Sequence, residues 1–153
     1  MSKNNLPLVL IIEDGNEYYE NLSRFVKGPE YLQVKNGLKA IEVLKSKAVD
    51  IVYLDMRFDR IEKKDLLGDY DKVAKDHNDD PLRTLRFIQN NQGLFILEEI
   101  KKNGFSNIPV VLAYDFSREE KRFLFLKKNN PSLTWVKDAV TPLEIKAIFD
   151  SIV

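Results

Sequence analysis

Four short runs rich in valine, isoleucine and leucine divide this chain, and three of them are almost uninterrupted by polar residues. They lie at 8–12 (LVLII), 51–54 (IVYL), 108–113 (IPVVLA) and 133–136 (LTWV). A strand with one wet face alternates apolar and polar residues, whereas a strand covered on both faces does not. The runs therefore call for a parallel sheet with helices above and below it. Residues 31–34 (YLQV) form a fifth, more polar candidate, suited to a sheet edge.

Helical patterns fill the gaps. Residues 16–26 carry Tyr18, Tyr19, Leu22 and Phe25 at helical spacing. Leu38, Ile41 and Leu44 predict a second apolar stripe, and Leu94, Leu97 and Ile100 a third, with Gly104 where a C-terminal glycine belongs. Ser117-Arg118-Glu119-Glu120 and Thr141-Pro142-Leu143-Glu144 both match the capping box, the second with proline at the first helical position. Phe123, Leu124, Phe125 and Leu126 cannot share one face at 100° per residue, so Leu124 or Phe125 is expected near the surface. Alternation of strand and helix predicts a doubly wound α/β sheet with right-handed crossovers. Ligands of such sheets bind beyond the carboxyl ends of the strands.

Composition narrows the classes. The chain has 153 residues, 24 Lys plus Arg, 24 Asp plus Glu and no cysteine. Zero net charge gives no pull towards nucleic acid or an anionic lipid surface. Arg118, Lys121, Arg122, Lys127 and Lys128 interleave with acids, so nucleic acid is not an expected partner. The missing cysteines exclude disulfides, thiolate catalysis and thiolate metal sites. No stretch approaches the ~20 apolar residues of a membrane helix, and the N-terminal run is followed at once by acids, unlike a signal peptide. A single cytoplasmic domain spanning 1–153 is expected. His77, the only histidine, stands in KDHNDD and is not expected to hold a metal.

One segment breaks the rhythm. Residues 59–91 lie between the third strand and the third helix, where a handful would suffice. They read as an insertion, a charged loop followed by a helical turn or two starting at Asn78-Asp79-Asp80-Pro81. The expectation is that this insertion serves a partner and is separable from the fold.

The chemistry concentrates at one end of the sheet. The first strand ends in Glu13-Asp14, the third in Asp55, and the fifth in Lys137. Two bare carboxylates ~4 Å apart repel by ~4 kcal/mol at an effective dielectric of ~20. Such a cluster persists when a cation neutralises it or a carboxyl is protonated. Mg²⁺ suits it, because it takes one or two carboxylates and keeps several waters.

The acidic pair after strand one, the lone aspartate in YLDM, the lysine after strand five, NGLKAIEVLKS from Asn36, and QGLFILEEIKK with IPVVLA together resemble the receiver domain of response regulators. The resemblance covers nearly the whole chain outside 59–91. It implies a flavodoxin-like fold, a five-stranded parallel sheet of order 2-1-3-4-5 flanked by five helices. It also implies a two-component signalling role: Asp55 accepts a phosphoryl group, and Glu13, Asp14, Asp55 and the backbone carbonyl of Arg57 hold Mg²⁺. Lys137 pairs with the phosphoryl oxygens. A histidine kinase or phosphotransfer protein would supply the phosphate, and with no attached output domain expected, a separate output protein would read the result.

Several positions depart from that pattern. Tyr114 stands where receivers usually carry threonine or serine. Asp138 replaces the proline after the lysine, which makes the usual cis peptide unexpected there. Thr134 occupies the usual aromatic position, with Trp135 one step along and so on the opposite face. The alternative is a receiver-like module that docks without being phosphorylated. A Mg²⁺-dependent phosphatase or nuclease of the D-x-D type is disfavoured, because Arg57 stands where the second aspartate would be. EDGNEYYE after strand one offers no phosphate-binding glycine loop.

Overall fold

The computed structural model describes residues 6–137 and 140–152. Its sheet has five strands, β1 (Leu8–Ile12), β2 (Glu30–Val34), β3 (Ile51–Asp55), β4 (Val110–Ala113) and β5 (Leu133–Val136), all parallel, in the order β2-β1-β3-β4-β5. The more polar β2 lies at an edge, and β1, β3 and β4 are covered on both faces, as their unbroken apolar runs require. Register brings the strand ends level: Ile12 pairs with Leu54, Asp55 with Ala113, and Ala113 with Val136. Glu13, Asp55, Tyr114 and Lys137 therefore leave the sheet at one edge. Asp138 lies outside the described residues.

Seven α-helices occur among the described residues, two more than expected. They are α1 (Glu17–Phe25), α2 (Gly37–Ser46), α3 (Tyr70–Lys75), α4 (Pro81–Asn90), α5 (Gln92–Lys102), α6 (Glu120–Asn129) and α7 (Pro142–Ile152). One face of the sheet is covered by α2, α5 and α6, the other by α1 and α7. No helix among the described residues is long and apolar enough to cross a membrane.

The helical stripes are rotated from those expected. Helix α2 buries Gly37, Ala40, Ile41 and Leu44, leaving Leu38 exposed. The small residues decide this: a side chain added at Gly37 would meet Leu67 and Ile96, so the helix seats its glycine edge inward. In α1, Leu22 is buried and Tyr18 sets its ring edge on Tyr53 at 5.2 Å, while Tyr19 and Phe25 face water. In α4, Thr84 and Ile88 are buried and Leu82 is exposed.

The helix ends follow the sequence with one exception. Thr141 and Glu144 form the reciprocal box, the Glu144 amide donating to Thr141 Oγ1 at 3.3 Å and the two side chains meeting at 2.9 Å. Gly104, at φ +86°, closes α5 by donating to Lys101, and the Phe105 amide reaches back to Ile100. The box expected at Ser117 does not form. Helix α6 starts at Glu120, the Ser117 amide donates to Asp115, and the Glu119 carboxylate is drawn to Tyr114 and Arg122.

Residues 59–91 hold more structure than a loop and a turn or two. A 3₁₀ turn (Lys63–Asp65) precedes α3, which Asp69 caps by accepting from the Lys72 amide. Asp80 caps α4 through the Leu82 and Arg83 amides, with Pro81 at the first position. The stretch is integrated with the core: Val73, Thr84 and Ile88 are buried, and the Gln89 carbonyl accepts from the Phe58 amide at 2.9 Å. Its removal would strip the sheet edge of these partners, so the expectation of a separable insertion does not fit the packing.

Gly93, the second residue of α5, fixes how that helix approaches β3. Its amide donates to the Met56 carbonyl at 2.9 Å, and a Cβ there would lie 2.5 Å from the Asp55 carbonyl oxygen and 2.9 Å from Met56 Cα. Backbone cannot move aside as a side-chain tip can. Gly93→Ala is therefore expected to destabilise the protein by about 1–3 kcal/mol, the range for overpacking a well-filled site. Denaturant unfolding measures it, and an unchanged midpoint would show that α5 shifts freely.

Candidate functional site

Glu13, Asp14 and Asp55 meet at the sheet edge, and each is held differently. Glu13 is buried and turned towards α1, where its carboxylate accepts from the Tyr18 amide at 3.0 Å and the Tyr19 amide at 2.8 Å. These belong to the first turn of the helix, where unpaired amides and the helix dipole favour an anion. Gln33 donates a third bond at 3.0 Å. Burial nevertheless pushes the Glu13 carboxyl above its usual range, outweighing those donors, with the Glu17 charge adding to it.

Asp14 is buried one residue further along. Its Oδ2 accepts from the Asp59 amide at 2.9 Å and the Arg60 amide at 3.0 Å, tying the loop after β3 to the end of β1. Asp55 closes β3, and its Oδ1 accepts from the Met56 amide at 2.8 Å, with the Arg57 amide also facing it. Burial drives the Asp55 carboxyl up to about 7 against these donors, and the charges of Asp14 and Glu13 raise it further. The two carboxylates singled out in the sequence as a possible pair therefore sense each other. Residues 14 and 55 share one crevice.

The donor set fits a hard divalent cation in part. Among the described residues, Asp14 Oδ1 accepts no protein hydrogen bond, and the Arg57 carbonyl accepts none from the backbone. Two carboxylates and a carbonyl, with waters, are what Mg²⁺ takes. Glu13 differs from its expected place as a ligand, since both its oxygens are engaged by amides. No group of three or more His, Asp or Glu side chains is gathered tightly enough to hold a metal unaided among the described residues. His77 instead meets the Val73 carbonyl through Nδ1 at 2.9 Å and packs on Phe87.

Lys137 and Tyr114 leave the sheet at the same edge without joining the acids. Lys137 is exposed, forms no ion pair with Asp55 among the described residues, and helps to hold the Asp115 carboxyl below its usual range. The Tyr114 hydroxyl donates to the Glu119 carboxylate, which raises the phenol and lowers the acid. Arg122 lies over the Tyr114 ring, donates to Glu119 at 2.8 Å, and reaches Asn91 Oδ1 at 2.8 Å. Tyr114 is thus bound into a network facing the start of α5.

Arg60 was not singled out in the sequence. Its guanidinium pairs with Glu17 at 2.9 Å across the crevice mouth and lies so close to Gly15 that a side chain there would run into it. The pair pulls the Glu17 carboxyl down to about 2. Both partners are largely exposed, so it contributes little to stability. Nothing local distinguished Arg60 from the other 23 basic residues: its place follows from its own amide binding Asp14.

No protein-family model matches the sequence, and no curated protein matches it. Solved structures do. The receiver domain of the Francisella response regulator 1452 shares 14% identity over 95% of each chain, with a TM-score of 0.62. The chemotaxis response regulator CheY4 of Vibrio cholerae shares 12%, covers 97% of this chain and 100% of its own, and scores 0.61. The receiver domain of a signal transduction histidine kinase from Syntrophus aciditrophicus shares 15% over 95% and 89%, also scoring 0.61. This chain has the receiver-domain fold. Within that fold the β1, β3 and β5 ends carry Asp14, Asp55 and Lys137.

The Asp55 environment predicts a pH signature. Its folded-state carboxyl titrates near 7 and its unfolded one near 3.8, so the unfolded chain ionises first. The stability it confers is complete below about pH 4 and is lost as pH rises through 7. In metal-free buffer, Asp55→Asn is expected to exceed wild type by about 2 kcal/mol at about pH 8, after discounting for solvent screening, and to match it near pH 4. Chemical denaturation at the two pH values checks this, and equal differences at both would mean that Asp55 is not strained.

Proposed function

We propose that this protein is a phosphoacceptor signalling domain in which Asp55 takes a phosphoryl group. The observation that carries the reading is the meeting of Asp55 with Asp14 and Glu13 where β3 and β1 end side by side, with Asp14 tied to the loop after β3; burial and the two neighbouring charges raise the Asp55 carboxyl. In the transfer, a carboxylate oxygen of Asp55 forms a bond to phosphorus. The bond from phosphorus to the donor breaks, and its electron pair leaves with the donor group. Asp55 must be ionised for this step, which its neighbours oppose. A Mg²⁺ held by Asp14, Asp55 and the Arg57 carbonyl would supply the missing positive charge and neutralise the phosphoryl oxygens.

The protein's own residues have distinct parts. The Met56 and Arg57 amides fix the Asp55 carboxylate at the end of β3. Glu13 holds α1 against the crevice and adds negative field without being a ligand. Lys137, exposed and free of ion pairs among the described residues, is the group that reaches the phosphoryl oxygens once they arrive. Tyr114 is not the hydroxyl that receives them, being committed to Glu119. The phosphate donor is a histidine kinase or a phosphotransfer protein in the cytoplasm, and output passes through contact with another protein rather than through catalysis.

The conversion adds about −1.5 to −2 charges beside the Met56-Arg57 peptide. That peptide is where α5 is fastened through Gly93, so the new charge bears on the seat of a helix. A second reading, docking without phosphorylation, is favoured by the Tyr114–Glu119 bond and by the distance Lys137 keeps from the acids.

Incubation with acetyl phosphate and Mg²⁺, followed by intact-mass measurement, separates the two. Wild type is expected to gain one phosphoryl group, Asp55→Asn none, and Asp14→Asn far less. No gain in wild type, under conditions that modify a known receiver, would leave the docking reading.

A further inference from the structure

Helices α3 and α5 both pack on α4 and leave a trough between them, a groove of about 510 Å³. Leu67, Val73, Phe87 and Phe95 line it. Phe87 rests its ring on His77 and Phe95, so the lining is fixed rather than collapsed. Asp76 and Glu98 stand exposed on the rim, neither in an ion pair among the described residues. Lys72 and Lys102 share that rim, so the two acids face a groove that is apolar within and mixed, not uniformly acidic, around its mouth.

The matching surface is on the same protein. Helix α6 exposes Leu124 at 64% and Phe125 at 68%, the most open aromatic among the large exposed hydrophobics. Lys121 and Lys128 lie three and four residues to either side, on the same strip of helix, and neither forms an ion pair among the described residues. The strip reads lysine, leucine-phenylalanine, lysine. Both the groove and this strip belong to the face of the sheet covered by α2, α5 and α6.

We propose that the occupant of the groove is α6 of a second copy of this chain. Leu124 and Phe125 enter between α3 and α5, and Lys121 and Lys128 meet Glu98 and Asp76. In this assembly each copy gives its strip to the other's groove about a two-fold axis, a reciprocal contact that closes as a dimer instead of growing into a fibre. The contact does not involve Asp55 and does not depend on phosphorylation.

Sedimentation equilibrium of the full-length unphosphorylated chain over a concentration series tests it. Wild type is expected to form dimers. Phe125→Ser and Glu98→Lys should each raise the dimer dissociation constant by at least ~10-fold, as loss of an anchoring aromatic or reversal of a paired charge does. Both positions are exposed, so the thermal melts should match wild type. Mixing the two variants is decisive. Phe125→Ser keeps an intact groove and Glu98→Lys an intact strip, so the mixed dimer holds one unaltered contact beside one that carries both changes, and it should dimerise at least as tightly as the weaker variant alone. A wild type that stays monomeric throughout overturns the proposal, as does a dimer indifferent to both substitutions or a mixture that dimerises more weakly than both components.

Discussion

Negative charge gathered at one edge of the sheet is the constraint around which the rest is arranged. Three carboxylates leave β1 and β3 within each other's field, and burial denies them the water that would screen it. Each is met by a different device. Glu13 is given the amides of a helix start, Asp14 the amides of the loop after β3, and Asp55 only the two amides next to it. Among the described residues, Asp55 has no donor from a distant segment, and burial raises its carboxyl to about 7.

At the same edge the backbone is fastened by bonds between distant segments. The Met56 carbonyl receives Gly93, the Phe58 amide reaches Gln89, and buried Gln92 grips both the amide and the carbonyl of Leu67. Residues 59–91 are thus bolted to the peptide that follows Asp55, and the α3–α5 groove begins at the residue that Gln92 holds. Proximity of this kind places charge chemistry and docking surface on one continuous piece of backbone, though each rests on its own contacts.

The strands were legible because a doubly covered strand has little choice of composition. Residues 8–12 and 133–136 match β1 and β5, and the polar YLQV run proved to be an edge. Helix ends governed by local bonds were legible too, as at Thr141 and Gly104. Helix facing was harder. Leu38 and Leu82 are large and apolar yet exposed, because Gly37 and Thr84 turn inward where the space is small. Ser117 lost its cap because Glu119 had a stronger claim elsewhere: a tyrosine, and an arginine that also bonds Asn91, 31 positions earlier.

By itself the sequence determined the layered parallel architecture and the presence of acids and a lysine after the first, third and fifth strands, since strand burial and chain order are written in local composition. Only the tertiary structure decided what those groups face. It turned Glu13 onto a helix, locked Tyr114 to Glu119, brought Arg60 across the crevice and left Lys137 in solvent. Those outcomes depend on which amides and charges distant segments bring within a few ångströms, and no run of neighbouring residues encodes that.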